Sequence, residues 1–438
     1  MKNPIKNVSI KEYGFLVKGG QDSDLSCSSI TESAFNWLLV NGQSVGNSRN
    51  GLNGAEERGR DLIRVKKVAN RVALQVINFV GVIETPCGTR IEILPKIISG
   101  DFDHDQSRNV LLKMLAAVEN LKLEQFHKAN LKTIRQPFFE VLIFQFLTKT
   151  AKLIKRGLRS SYQRIERESS FLKGQLKTAR QIRQRPGRQH FFHVEYDIYT
   201  ADRAENRLLH SALFQILKWT KSSNNQRLVR ELLFVFEDIQ KSNDYKSDFR
   251  RWSNDRTLAH YRDIKPWCEL ILNEQSPVSM NGESAGISFL FPMEVLFERY
   301  VAKKLKSKLV SPFRLMEQIQ SQTLVTHKGQ GLFKLKPDIV IYNDSKITCV
   351  MDTKWKLINQ NLNSSKDKYN LSQSDMYQLF SYGEKYLKGE GDLYLIYPQN
   401  EMFDEPLSKF QFTSDLNLYV VPYNLVTDVI GIDINALL

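Results

Sequence analysis

The chain of 438 residues holds only four cysteines, Cys27, Cys87, Cys268 and Cys349, far apart and without a CxxC pair. That spacing excludes a disulfide framework and a thiolate zinc site, and points to buried thiols in a reducing compartment. Histidine is also scarce: there are seven, and His190 and His193 have no companion ligands at zinc-hydrolase spacing. No GxxxxGK[ST] loop occurs, so the chain has no evident nucleotide site of its own. No motif supports a Ser or Cys nucleophile. Long apolar runs are missing too, and no apolar segment follows a basic N-terminus, so the expectation is a cytoplasmic protein with no membrane partner. The last deficit is in acid. Against 62 Lys and Arg stand 48 Asp and Glu, a net charge of +14. An excess of that size favours a polyanion, most simply nucleic acid.

A chain this long exceeds one ordinary core, and its patterning divides it in three, an α+β multidomain protein. Residues 1–104 are β-rich, with strand-like runs at 62–82 and 83–97 broken by the Pro86-Cys87-Gly88 turn. Between an opening strand at 9–14 and these runs, residues 41–60, NGQSVGNSRNGLNGAEERGR, lack periodicity and read as a long loop or surface insertion. Residues 105–280 form a mainly helical, basic middle region, with amphipathic helices predicted at 110–121, 138–158 and 203–221 and a strand at 191–198. Within it, Arg159, Arg164, Lys173, Lys177 and Arg180 belong to a basic series running to Arg188, offset only by Glu166 and Glu168. Such a series is either a solvated face or a phosphate-binding surface, and these five are the DNA-binding candidates. A linker at 273–285 leads into residues 286–438, predicted as an α/β domain with a mixed sheet flanked by helices.

The most informative stretch is 332–358, LFKLKPDIVIYNDSKITCVMDTKWKLI. Two β-branched runs flank the polar break at 343–346, which predicts a hairpin. Side chains two apart on a strand share a face, so Asp352 and Lys354 point the same way, together with Val350 and Thr348. Asp338, after Pro337, opens the first strand, where proline is tolerated. The arrangement is either a solvated hairpin or a small acidic pocket edged by one cation. The pocket suits a hard divalent ion such as Mg²⁺, with Mn²⁺ able to replace it, held by oxygen ligands.

Elements around the hairpin follow in the order helix (293–309), strand (313–320), hairpin, helix (374–387) and buried strands (392–397 and 416–421). Glu294 and Glu298 share one face of the first helix. Either could bring a carboxylate to the pocket or pair with surface cations, and Glu298 is the better candidate. Gln378 and Tyr382 lie four apart in the second helix.

The spacing P-D, then a dozen residues, then D-x-K resembles the PD-(D/E)XK nucleases, whose core has this order of elements. The Q-x-x-x-Y of Gln378 and Tyr382 resembles the motif that follows the catalytic lysine in RecB-like members. Over most of its length the chain is similar to a narrower family, the McrC nuclease subunits of McrBC modification-dependent restriction systems. The segments that carry this are GVIETPCGTRIEILPKI, RGLRSSYQRIERESSFLKGQL, YDIYTADRAENRLLHSAL, FLFPMEVLFERYV, LKPDIVI, MDTKWK and DMYQLFSYGEKY. The resemblance implies a Mg²⁺-dependent endonuclease of double-stranded DNA, with 5-methylcytosine the expected target modification. Asp338, Asp352 and the Thr353 carbonyl would hold the metal, Lys354 would act on the attacking water, and Glu298, Gln378 and Tyr382 would complete the site. It implies as partner a hexameric McrB-like AAA+ GTPase, entered by an N-terminal stalk. On that basis residues 41–60 are expected at the stalk tip, with Arg49, Arg58 or Arg60 near the motor. Two other readings stand beside it. One is a non-catalytic adaptor that activates such a motor; the other is a stand-alone RecB-like nuclease.

Overall fold

The structure is a computed structural model, which describes residues 7–19, 27–42, 61–68, 71–96, 104–119, 121, 137–252, 259–272 and 288–431. It is mixed α and β, with several separate sheets. Two compact units emerge. The first contains residues 1–120, 128–138 and 275–438, and the second contains residues 121–127 and 139–274.

In the first unit the N-terminal hundred residues build two four-stranded sheets. One runs Asn7–Lys11, Arg90–Leu94, Phe79–Glu84 and Ser288–Pro292 in order across the sheet. The other runs Cys27–Ile30, Phe15–Lys18, Arg71–Val76 and Ile63–Val68. Helix Glu32–Asn41 starts where Thr31 Oγ1 accepts the Ala34 amide, a side-chain cap that satisfies an orphan donor. Ile10, Leu16, Ile30, Phe35, Leu38, Leu74, Phe79 and Ile91 pack into one core beneath it. Leu290 joins that core from more than two hundred residues away, because its strand pairs antiparallel with Phe79–Glu84. Gly81 permits the pairing: at φ +127° a Cβ there would sit 2.0 Å from the Phe289 carbonyl oxygen.

The same unit contains the large sheet. Its order is Phe313–Glu317, Ile339–Asn343, Lys346–Thr353, Gly391–Pro398, Leu416–Asn424 and Phe410–Gln411, with Val429–Ile430 also on Leu416–Asn424. The hairpin expected at 339–351 forms, its strands antiparallel. From Lys346–Thr353 to Gly391–Pro398 the pairing turns parallel, so the chain crosses over through helix Gln373–Tyr386. The middle strands are apolar on both faces because both are covered. On one face Val340, Val350, Leu393, Leu395 and Leu418 meet Leu379 and Tyr382 of that helix. Helix Met293–Lys308 brings Phe297 against Trp355 and Tyr423, with ring centroids 5.2 and 6.3 Å apart. A ribbon of two antiparallel strands, Gln322–His327 and Gln330–Leu335, interrupts the sheet sequence just before Asp338 and was not expected.

The second unit is helical around a small sheet. Helices Phe138–Lys155, Ala204–Trp219, Ser223–Val235, Tyr245–Arg251 and Lys265–Leu272 are joined by a three-stranded antiparallel sheet. Its order is Ser161–Ser169, Phe192–Thr200 and Gln175–Leu176. The sheet takes up much of the basic series that the helical reading had left without structure. Buried polar groups are satisfied: Glu140 accepts from Thr220 Oγ1 at 2.6 Å, the Lys221 amide at 2.8 Å and Asn225 Nδ2 at 2.9 Å. No helix among the described residues is long and apolar enough to cross a membrane.

Candidate active site

The antiparallel pairing of Ile339–Asn343 with Lys346–Thr353 sets Ile339 opposite Met351, so Asp338 and Asp352 lie at the same end of neighbouring strands. Thr353 fixes the first carboxylate: its amide and its Oγ1 both donate to Asp338 Oδ2, at 2.8 and 2.7 Å. Asp352, only 1% exposed, stands on the buried end of the next strand. Lys354 Nζ lies 2.5 Å from Asp352 Oδ2 as an ion pair. Even so, neither Asp352 oxygen has a well-aligned hydrogen-bond donor among the described residues.

Lys354 is held in turn by the motif residues of helix Gln373–Tyr386. The buried Tyr382 hydroxyl donates to the Lys336 carbonyl at 3.0 Å, a group that can only accept. The hydroxyl is therefore left as the acceptor for Gln378 Nε2, at 2.7 Å. That choice turns Gln378 Oε1 toward Lys354, whose Nζ donates to it at 3.1 Å. One tyrosine thus decides the amide orientation and, through it, where the ammonium sits. Helical spacing of four brings Gln378 and Tyr382 together on one face, as this chain requires.

The electrostatics are those of an under-compensated acidic pocket. Burial first, then the charge of Asp338, pushes Asp352 up to about 7, against the opposing pull of Lys354. Asp338 is also raised by burial, although the two Thr353 bonds and Lys354 oppose the shift. Burial alone would lower the Lys354 amine, but Asp352 and Asp338 outweigh it and hold it above its ordinary value. Glu298, from helix Met293–Lys308, is lifted to about 7 by burial and by the Asp338 charge. It accepts a short hydrogen bond from Gln318 Nε2. Gln318 also donates its amide to the Asp338 carbonyl at 3.0 Å, from a left-handed conformation at φ +50°. Sequence reasoning missed Gln318. A glutamine just past a strand end carries no local signal that it will bridge two carboxylate residues twenty positions away on either side.

Asp338, Asp352, Lys354, Glu298, Gln378 and Tyr382 are therefore brought together. A cation fits the donor set: burial raises both carboxyls, the Asp338 charge raises Asp352 further, and the Lys354 ammonium beside Asp352 offsets this only in part. No cluster of three or more His, Cys, Asp or Glu able to hold a metal forms among the described residues. The two aspartates with the Thr353 carbonyl would be the oxygen ligands of such an ion, a sparse set of the kind that suits Mg²⁺.

The other candidates lie elsewhere. Arg159, Arg164, Lys173, Lys177 and Arg180 are on or beside the small sheet of the second unit. Three of the five are paired: Arg164 Nε with Asp197 at 3.4 Å, Lys177 with Glu195, and Arg180 with Glu166 at 3.1 Å. Lys173 Nζ lies 4.4 Å from the centre of the Tyr196 ring, and Arg159 is exposed. Arg49, Arg58 and Arg60 fall outside the described residues.

Comparison with known proteins agrees with a restriction system. No curated protein matches the chain. A chain from the refined half-complex of a tetradecameric assembly of Thermococcus gammatolerans McrB AAA+ hexamers with bound McrC aligns at TM-score 0.70 and 20% identity. The alignment covers 99% of this chain and 97% of that one. A chain of the Thermococcus gammatolerans McrBC complex aligns at TM-score 0.50 and 21% identity, over 68% of this chain and 87% of that one. At these identities the likeness shows the fold. The profile of the McrBC 5-methylcytosine restriction system components matches residues 74–398, most of the chain, and the protein belongs to that family.

Proposed function

We propose that this chain is the McrC-type nuclease subunit of its system, a PD-(D/E)XK endonuclease that hydrolyses DNA phosphodiesters with Mg²⁺. The observation that carries the reading is the convergence of Asp338, Asp352 and Lys354, with the lysine aimed by Gln378 and Tyr382. A structural hairpin has no need of a deeply buried carboxylate paired with a lysine, nor of a relay that orients that lysine's ammonium.

Asp338, Asp352 and the Thr353 carbonyl would hold the metal. When bound, Mg²⁺ supplies Lewis-acid stabilisation of a phosphate oxygen and lowers the pKa of water. The residues of the chain do the rest. Thr353 keeps Asp338 from rotating, so its carboxylate is preorganised. Lys354 stays protonated beside two aspartates, which suits it to orient the attacking water and to offset negative charge as it develops on the phosphate. Glu298 ionises near neutral pH and is placed to accept a proton.

In the Thermococcus assembly McrB AAA+ hexamers carry bound McrC. We carry that pairing to this chain, with a hexameric McrB-like GTPase as partner. Residues 41–60 would form the stalk tip, Arg49, Arg58 or Arg60 would contact the motor, and the basic residues from Arg159 to Arg180 would contact DNA. The test is cleavage of methylated and unmethylated plasmid in Mg²⁺ by wild type and Asp352→Ala, with and without the motor and GTP. Cleavage that requires Asp352, motor and GTP is expected. Cleavage by Asp352→Ala would refute the site. Stimulated GTP hydrolysis without cleavage would favour a non-catalytic adaptor.

A further inference from the structure

The ribbon Gln322–Leu335 is the largest feature near the site to which the reading above gives no task. It enters between the outer strand Phe313–Glu317 and the strand that Asp338 opens. Its turn, Lys328-Gly329, has both residues at positive φ (+49° and +77°), the two-residue turn whose twist matches paired strands. From that turn the strands run six residues, about 20 Å. Almost nothing on them is buried. Leu324 and Val325 are adjacent on one strand, Leu332 and Phe333 on the other, and all four are exposed, Phe333 at 72%. Both strands are largely exposed along their length, although the first lies against helix Gln373–Tyr386 at its base, where Tyr386 meets Ser321 and Gln322.

The base, by contrast, is fixed. The Tyr386 hydroxyl donates to the Leu335 carbonyl at 3.0 Å, and the Tyr382 hydroxyl to that of Lys336, both from the helix that orients Lys354. Two residues later the chain is at Asp338. Between Glu317 and Asp338 there is no acidic residue, while Lys328, Lys334 and Lys336 supply positive charge at the tip and toward the base. Lys336 is near enough to Asp338 and Glu298 to lower both.

We propose that this ribbon is a DNA-gripping arm that lies in a groove of the duplex and sets the phosphate over Asp338 and Asp352. A two-stranded ribbon fits the major groove, its lysines meet the flanking phosphates, and its apolar side chains can contact base edges. The absence of acid along the arm, its largely exposed strands and its fixed junction with the strand that follows Asp338 together favour DNA over a protein surface. The inference rests on the nuclease reading for its purpose, but its test does not depend on cleavage.

Binding of a short fluorescent duplex by the full-length chain would be measured by anisotropy over a range of salt, without metal. Two variants bear on it, Lys328→Glu/Lys334→Glu and Phe333→Gly. Phe333 has φ +58°, which glycine adopts more readily, so Phe333→Gly removes the ring without costing fold stability. The double variant should bind at least about tenfold more weakly, with a salt slope shallower by about two. Phe333→Gly should lose several-fold in affinity with no fall in melting temperature. Wild-type affinity and salt slope in both variants would overturn the proposal, as would a wild-type chain that does not bind duplex. Unchanged DNA binding with lost association to the AAA+ partner would assign the arm to protein and overturn it too. If wild type fails to cleave while the ribbon variants still lose DNA affinity, the nuclease reading falls and the arm stands.

Discussion

Replacing Asp352 by asparagine should inactivate the site and, without metal, make the protein more stable. Burial and Asp338 lift this carboxyl from 3.8 to about 7. One pKa unit corresponds to ~1.4 kcal/mol, so holding it ionised in the fold costs roughly 4 kcal/mol at pH 8. The sign follows from proton binding. Between the unfolded and folded pKa values the native state binds more protons, so stability falls as pH rises and the full cost is present above the folded pKa. At pH 5 little more than one unit of that interval has been crossed, and the cost is about 1–2 kcal/mol. Asparagine has nearly the shape of the protonated acid and never incurs the cost.

Thermal unfolding in EDTA reads this directly. With roughly 2 °C per kcal/mol for a unit of this size, Asp352→Asn should melt about 8 °C above wild type at pH 8 and about 3 °C above it at pH 5. Added Mg²⁺ should raise the melting temperature of wild type and leave the variant nearly unmoved, since ligand binding stabilises only the state that binds it. Half-saturation by Mg²⁺ should also need more metal as pH falls below about 7, where protons compete for Asp352. A variant that melts lower than wild type at pH 8, or a gain independent of pH, would show that Asp352 is not an under-compensated buried charge.

Tyr382→Phe removes the hydroxyl that sets the Gln378 amide, so Lys354 loses its aim while every charge remains. A cleavage rate down about 10–100-fold is expected, with DNA affinity unchanged, as for supporting residues around other metal sites; single-turnover assays would check it, and a wild-type rate would refute the relay. Trp355→Phe keeps an aromatic ring, though a smaller one, and leaves the buried Glu12 carboxylate without the Trp355 Nε1 bond of 2.7 Å. A loss of about 1–3 kcal/mol is expected in denaturant unfolding, and no loss would show that this contact is not made.

The parts of this chain legible in its sequence are those where local pattern and tertiary demand agree. After Asp392 the run to Tyr397 is apolar because its strand is covered on both faces, and it reads directly as a buried strand. Asp352 and Val350 share a face by strand geometry alone, and Val350 does pack with Leu379 and Tyr382 of the helix over that face. What was missed depends on distant partners or on no partner. Nothing local could show that Ser288–Pro292 completes a sheet begun two hundred residues earlier, because its partner strand, with the Gly81 that makes room for it, lies across that gap. The ribbon is largely exposed, so its residues lack the alternation by which strands are recognised. The basic series looked nearly unopposed in sequence, yet folding sets Asp197 beside Arg164 and Glu195 beside Lys177, acids that lie on a different strand.

The first unit also joins the N-terminal sheets to the strand that carries Asp352 at a defined place. Trp355 directly follows Lys354, and it is held from three directions. Its indole donates to Glu12, its ring meets Phe297, and its carbonyl accepts from Lys96 Nζ at 3.4 Å. Lys96 itself lies over the Tyr13 ring, 4.1 Å from its centre. Glu12, Tyr13 and Lys96 all belong to the first hundred residues. Burial pushes Glu12 up to about 6, with Lys96 and the indole opposing, so this carboxylate is held buried in part by the residues it fixes. The lysine that would act on water is therefore one peptide bond from a contact made by the N-terminal sheets. If those sheets carry the segment that meets the motor, a change of strand position there reaches the Lys354 backbone with no intervening domain. Coupling of that kind needs two arrangements of the contact, and the under-paired Glu12 is where a second arrangement would have the least to lose.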